Sequence, residues 1–85
     1  MKILASRRFI SDLDKLSKKE EILKKKVVKT LQVLSHDVQH PSLRFHKLIA
    51  NETYSISVTM RIRIILRIDE RGATLLRIGN HDEVY

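Results

Sequence analysis

The second half of the chain alternates with a period of two, and its two phases differ chemically. Tyr54, Ile56 and Val58 alternate with Ser55, Ser57 and Thr59. Ile62, Ile64, Leu66 and Ile68 alternate with Arg63, Ile65, Arg67 and Asp69. Thr74, Leu76 and Ile78 alternate with Leu75, Arg77 and Gly79. In a strand, successive side chains point to opposite faces, so this pattern specifies strands with one buried and one polar side. Three such runs in succession predict an antiparallel meander, with a shorter strand before it over Phe45–Ile49.

The loops set the phase between these strands. Glu70-Arg71-Gly72 suits a three-residue hairpin loop with Gly72 in the left-handed position, which pairs Asp69 with Ala73 and Ile65 with Arg77. Ile64, Leu66, Ile68, Thr74, Leu76 and Ile78 then share one face. A three-residue loop at Thr59-Met60-Arg61 pairs Val58 with Ile62 and Ser57 with Arg63. An even loop would flip one strand and turn arginines into the core, where desolvation opposes them.

The first half has helical spacing instead. Phe9, Leu13 and Leu16 recur at i, i+4 and i+7. Ser17-Lys18-Lys19-Glu20 has the form of a capping box opening a second helix, whose stripe is Leu23, Val27, Leu31 and Leu34. Pro41 stops helical propagation, so 36–43 should be a loop. Residues 1–5 suit an edge strand. Both helices need a surface on which to bury their stripes, and the apolar face of the sheet supplies it. The expected fold is α+β, a single domain over 1–85: an N-terminal edge strand and a helical hairpin packed on one face of a small antiparallel sheet.

Composition narrows the function. Seventeen Lys and Arg against ten Asp and Glu give a net charge of +7, the electrostatic footprint of a protein that binds a polyanion. The absence of cysteine excludes disulfides and thiol catalysis. Pro41 breaks the helix that would align His36 and His40, and no cysteine or carboxylate cluster completes a metal site, so no metal and no cofactor is expected. The only apolar residues before Arg7 and Arg8 besides Met1 are Ile3, Leu4 and Ala5, too few for a signal-peptide core. No apolar run approaches the roughly 18 residues of a membrane span. The expectation is a cytoplasmic protein without a membrane partner.

On the polar face of the meander lie Ser55, Ser57, Arg63, Arg67 and Arg77, with Gly79 beside Arg63 and with His81 and Tyr85 just beyond. Arg63 and Arg77 fall diagonally across one strand pair, close enough to share a phosphate. These residue types match the needs of RNA cleavage. When a 2′-OH attacks the adjacent phosphorus, charge grows on the phosphoryl oxygens and two protons must move. Arginine answers the first need with a fixed charge and a fork that fits phosphate. Histidine answers the second, because imidazole titrates near neutrality. An aromatic ring holds an unstacked base.

The stretches Tyr54-Ser55-Ile56-Ser57-Val58, Arg63-Ile64-Ile65-Leu66 and Leu75-Leu76-Arg77-Ile78-Gly79-Asn80-His81-Asp82-Glu83-Val84-Tyr85 resemble the RelE/ParE superfamily of bacterial toxins. The resemblance spans essentially the whole chain. Arg77, His81 and Tyr85, at spacings of four and four, look like the active-site end of the YafQ-type branch. Arg63 falls where RelE-type members carry a catalytic arginine, and His46 looks like the histidine that precedes the meander in YafQ-type members. The resemblance implies ribosome-dependent cleavage of mRNA and neutralisation by a cognate antitoxin. It makes Arg63, Arg77, His81, Tyr85 and His46 the catalytic set. Ser55, Ser57, Arg61, Arg67, Lys47, Lys25 and Lys29 are then contacts to RNA, although Lys25 and Lys29 also suit a solvated helix face. The sequence departs from the family at three places. Ser55 and Ser57 stand where RelE has lysines, YafQ-type members have a histidine at the position of Ser57, and an Asp-Trp pair is replaced by Arg61-Ile62. His81 and His46 remain as base and acid, in either order. Two other readings share the fold: a ParE-like inhibitor of DNA gyrase that acts by binding, and a catalytically silent homologue that binds RNA or antitoxin.

Overall fold

A computed structural model describes residues 1–48, 52–80 and 84. In chain order the elements are β1 (Ile3–Ala5), α1 (Arg7–Ser17), α2 (Leu23–His36), a single 3-10 turn (Pro41–Leu43), β2 (His46–Lys47), β3 (Thr53–Ser57), β4 (Ile62–Asp69) and β5 (Gly72–Asn80). The strands form one sheet in the order β1-β5-β4-β3-β2. β2 through β5 are antiparallel neighbours, while β1 joins the edge of β5 in parallel. The expected α+β arrangement is present, with the edge strand as the one parallel pairing that makes the sheet mixed.

Ser6 caps α1: its Oγ accepts the Phe9 N–H at 3.0 Å. The stripes behave as their spacing predicts. Phe9, Leu23, Val27 and Leu34 are buried together with Ile56, Ile64, Leu66 and Ile78, and Leu13, Leu16 and Leu31 pack against them.

The expected capping box at Ser17 does not form. Ser17 is the last residue of α1, and its Oγ donates back to the Asp14 carbonyl at 3.1 Å. Ser17 is still helical, and α2 starts too far along the chain for its Oγ to accept from the first N–H groups of that helix. α2 begins only at Leu23, behind Ile22 and without a side-chain cap. The Glu20 carboxylate is used elsewhere, 3.5 Å from Arg61 Nη2. The strand expected over Phe45–Ile49 is shorter, His46–Lys47, and Ile49 lies outside the described residues. Phe45 instead stacks on Tyr54, ring centroids 4.7 Å apart.

The loop at Thr59–Arg61 has the expected register: Ser57 pairs with Arg63, and Val58 N–H donates to the Ile62 carbonyl at 2.9 Å. No glycine is needed, because Thr59 Oγ1 accepts the N–H groups of Arg61 and Ile62 at 3.2 and 3.0 Å.

The other hairpin differs from expectation and shows how the phase is kept. Its turn has two residues, Glu70 and Arg71, so Asp69 pairs with Gly72 and Leu66 with Leu75. Ala73 and Leu75 therefore face the core, not Thr74 and Leu76. Continued unbroken, that phase would turn Arg77 inward. A β-bulge at Leu76 absorbs one residue, after which Ile65 pairs with Arg77 and Ile64 with Ile78. Parity is thus kept by a short turn plus a bulge. Ser6 ties the bulge down: its N–H donates to the Leu75 carbonyl at 2.9 Å and its Oγ to the Leu76 carbonyl at 3.0 Å.

Gly72 has φ of 131°, a conformation that residues with a Cβ avoid. A Cβ there would run into the Lys2 carbonyl, which accepts the Ala73 N–H at 2.8 Å. The close approach of β1 to β5 depends on this glycine.

Candidate active site

Residues paired directly across strands point to the same side of a sheet. On the side away from the helices, the registers generate three rows. Ser57, Arg63 and Gly79 form one; His46, Ser55, Ile65 and Arg77 form the next; Thr53, Arg67 and Thr74 form the third. The polar phase read from the sequence therefore does share one side of the sheet.

Arg63 is its most constrained member. Nε and Nη2 both donate to Ser55 Oγ, at 2.9 and 2.7 Å, and Nη2 also donates to the Arg44 carbonyl at 3.2 Å. Ser55 is 0% exposed, so its hydroxyl lies under the guanidinium rather than on the surface. Arg44 follows the 3-10 turn with φ of 46°, and the left-handed bend that results presents its carbonyl to Arg63. None of these bonds uses Nη1.

Arg77 is held from the opposite direction. Its Nε and Nη2 donate to Asp12 Oδ2 and Oδ1 on α1, at 3.2 and 3.4 Å. The same carboxylate accepts the N–H of Ile78 at 3.2 Å and lies 3.7 Å from Arg8 Nε. β1 pairs with β5 only as far as Leu75, so the outer edge of β5 is free for α1 to reach here. The backbones of Arg63 and Arg77 are diagonal as expected. Their guanidinium groups nevertheless turn apart, one toward β3 and the other toward α1, and do not converge on a single point.

The remaining sequence-selected residues are distributed as follows. His46 is exposed and shares its row with Ser55, but three strand spacings of about 4.8 Å separate its backbone from that of Arg77, roughly 14 Å in all. Ser57 Oγ donates to the Thr59 carbonyl at 2.8 Å. Arg67 is exposed between Thr53 and Thr74. Arg61 is exposed and paired with Glu20. Lys47 is exposed but pairs with Tyr54, which belongs to the core phase. Lys25 and Lys29 are exposed on α2, on the helical side, where Lys29 borders a groove of about 490 Å³ between α2 and the β3–β4 turn. His81 and Tyr85 lie outside the described residues.

Sequence reasoning missed Asp12 and Arg44. Asp12 carried a usable signal: it sits three residues after Phe9 and four before Leu16, at the border of the buried stripe, where a carboxylate needs a partner. Arg44 carried none, since its contribution is a carbonyl.

This is the architecture of the RelE/ParE-type toxins, and the resemblance in sequence is matched at the level of the fold. The YafQ chain in the DinJ–YafQ complex of E. coli superposes with a TM-score of 0.81 at 18% identity, over 99% of this chain and 97% of that one. YoeB in the YoeB–YefM complex of Staphylococcus aureus gives 0.75 at 17%, over 95% and 97%. The YoeB/ParE toxin of Agrobacterium tumefaciens gives 0.79 at 13%, over 95% and 99%. No protein-family model and no curated protein matches the chain.

Proposed function

We propose that this protein is the toxin of a type II toxin–antitoxin pair and an endoribonuclease that cuts mRNA on the ribosome, in the cytoplasm. The observation that carries the reading is Arg63: a charge fixed in direction by Ser55 and by the Arg44 carbonyl, on the exposed side of a basic sheet. A rigid guanidinium facing outward is prepared for phosphoryl oxygens and needs no reorganisation when their charge grows. The 2′-OH attacks the adjacent phosphorus and the 5′-oxygen leaves. Arg63 stabilises the charge of that transition state, Arg77 holds the RNA backbone beside it, and His46 and His81 move the two protons. Tyr85 stacks on a base. Ser55 acts through Arg63, while Ser57 and Arg67 line the approach of the RNA, with Arg61, Lys47, Lys25 and Lys29 as further phosphate contacts outside that face. The cognate antitoxin is the expected protein partner, since E. coli YafQ and S. aureus YoeB are each found in complex with one, DinJ and YefM.

The test is induction without antitoxin, followed by pulse labelling and primer extension on mRNA. Early loss of methionine incorporation with new 5′ ends in mRNA is expected.

One observation favours a second reading. Arg77 already has a carboxylate partner in Asp12, as an arginine with a purely structural duty would. A ParE-like inhibitor that binds gyrase needs no nuclease chemistry, and one structural neighbour is a YoeB/ParE toxin. Under that reading DNA synthesis stops first while translation continues.

A further inference from the structure

We infer that Asp12 is a positioning residue that sets the direction of Arg77 and thereby where the RNA backbone crosses the sheet. The inference rests on the nuclease reading. Asp12 is the only carboxylate within ion-pair distance of Arg77 among the described residues. Its side chain is 13% exposed and that of Arg77 33%, so the pair is sheltered but not sealed.

Three features distinguish this contact from an ordinary surface ion pair, which holds long side chains only loosely. First, it is two-pronged: Nε meets Oδ2 at 3.2 Å and Nη2 meets Oδ1 at 3.4 Å, which fixes the plane of the guanidinium as well as its place. Second, Oδ2 also accepts the N–H of Ile78, the residue after Arg77, at 3.2 Å. Side chain and backbone of the same stretch therefore hang on one group. Third, that stretch directly follows the Leu76 bulge and, among the described residues, has no strand paired on its outer side, so the sheet alone does not determine the aim of Arg77.

The consequence is a division of labour. Arg63 is drawn to the middle of the sheet by Ser55 and Arg77 to the β5 edge by Asp12. Two arginines so separated serve two phosphates: Arg63 the scissile one, Arg77 its neighbour on the β5 side. The bonds to Asp12 leave the Nη1 side of Arg77 for that neighbour. Misaligned, Arg77 still attracts RNA by charge but no longer holds the scissile bond in register with Arg63.

Asp12→Asn tests this. The amide keeps an oxygen for the Ile78 N–H and loses the charge that aligns Arg77. In cleavage of ribosome-bound mRNA, kcat should fall by about 10- to 100-fold while KM changes less than about threefold, as expected for misplacement without loss of attraction. In an Arg77→Ala background the same substitution should have no further effect. Asp12→Glu, which restores the carboxylate, should recover part of kcat. A kcat for Asp12→Asn within twofold of wild type, or an equal fall in the Arg77→Ala background, overturns the inference. Circular dichroism checks folding, and if Asp12→Asn does not fold, Asp12→Glu is taken through the same double-mutant cycle. The Nε–H resonance of Arg77 provides a readout independent of catalysis: protected from exchange in the wild type, exposed in Asp12→Asn. If the wild type cuts no mRNA, the nuclease reading falls and with it the catalytic role of Asp12, whereas an unprotected Nε–H in an active wild type overturns the positioning role alone.

Discussion

Ser55 lies buried beneath Arg63, and its single hydroxyl oxygen accepts from both Nε and Nη2 of that arginine, at 2.9 and 2.7 Å. A serine on the polar phase of a strand, which in the sequence looks like a surface contact, thus supports the guanidinium from below. Arg63→Ala should lower the cleavage rate by about 10²–10³, the usual loss for a group that stabilises transition-state charge. Ser55→Ala keeps the charge and removes its support, so the fall in kcat should be smaller, about 10-fold, with KM nearly unchanged. Single-turnover cleavage by both variants and by the double mutant checks this. Additive effects would show that Ser55 does not act through Arg63.

His81→Ala should lower the rate by about 10²–10⁴ if this imidazole carries a proton. Equal losses in His46→Ala would make the pair the acid and base, while full activity in His46→Ala would leave His46 as a phosphate contact.

Tyr85→Phe should retain most activity if the ring stacks on a base, and Tyr85→Ala should then weaken RNA binding by roughly 1–3 kcal/mol. If Phe is as damaging as Ala, the hydroxyl takes part in proton transfer and the stacking role is wrong. Comparison of the dissociation constants with the rates separates the two.

Gly72→Ala places a Cβ against the Lys2 carbonyl at φ of 131°. The unfavourable φ alone costs about 1–3 kcal/mol, and the added clash with the Lys2 carbonyl is relieved by moving β1 off β5. Thermal melts should show the loss, and amide exchange should show Ala73, whose N–H bonds to Lys2, losing protection first.

Ser6→Ala removes the cap of α1 together with the donor to the Leu76 carbonyl in the bulge. A lost cap alone costs about 0.5–2 kcal/mol, so the melting temperature should drop by roughly 4–8 °C per kcal/mol lost for a domain of this size. Activity measured well below that temperature should also fall, because the bulge is what turns Arg77 to the outer face of the sheet. A variant that is destabilised but fully active would separate the bulge from the site.

By itself the sequence determined the period of the helices and strands and the sign of the β4 faces, though not that of β5 before its bulge. The alternation of Ile62 to Ile68 with arginines specified β4 and its two sides, and the Phe9 and Leu23 stripes specified two helices that need a sheet. The register of Ser57 with Arg63 and of Ile65 with Arg77 followed from parity, because arginine cannot be turned into an apolar core. These features are local, since each follows from spacing along the chain and from the aversion of a charge to burial. Only the tertiary structure decided how parity was met, by a two-residue turn and a bulge at Leu76 held by Ser6 from 70 residues away. It alone decided the direction of each guanidinium as well. Arginine side chains are long and have several partners within reach, so their aim depends on which acceptors the fold brings near. Ser55 is eight residues from Arg63 and Asp12 is 65 from Arg77, and no periodicity in the sequence connects the members of either pair.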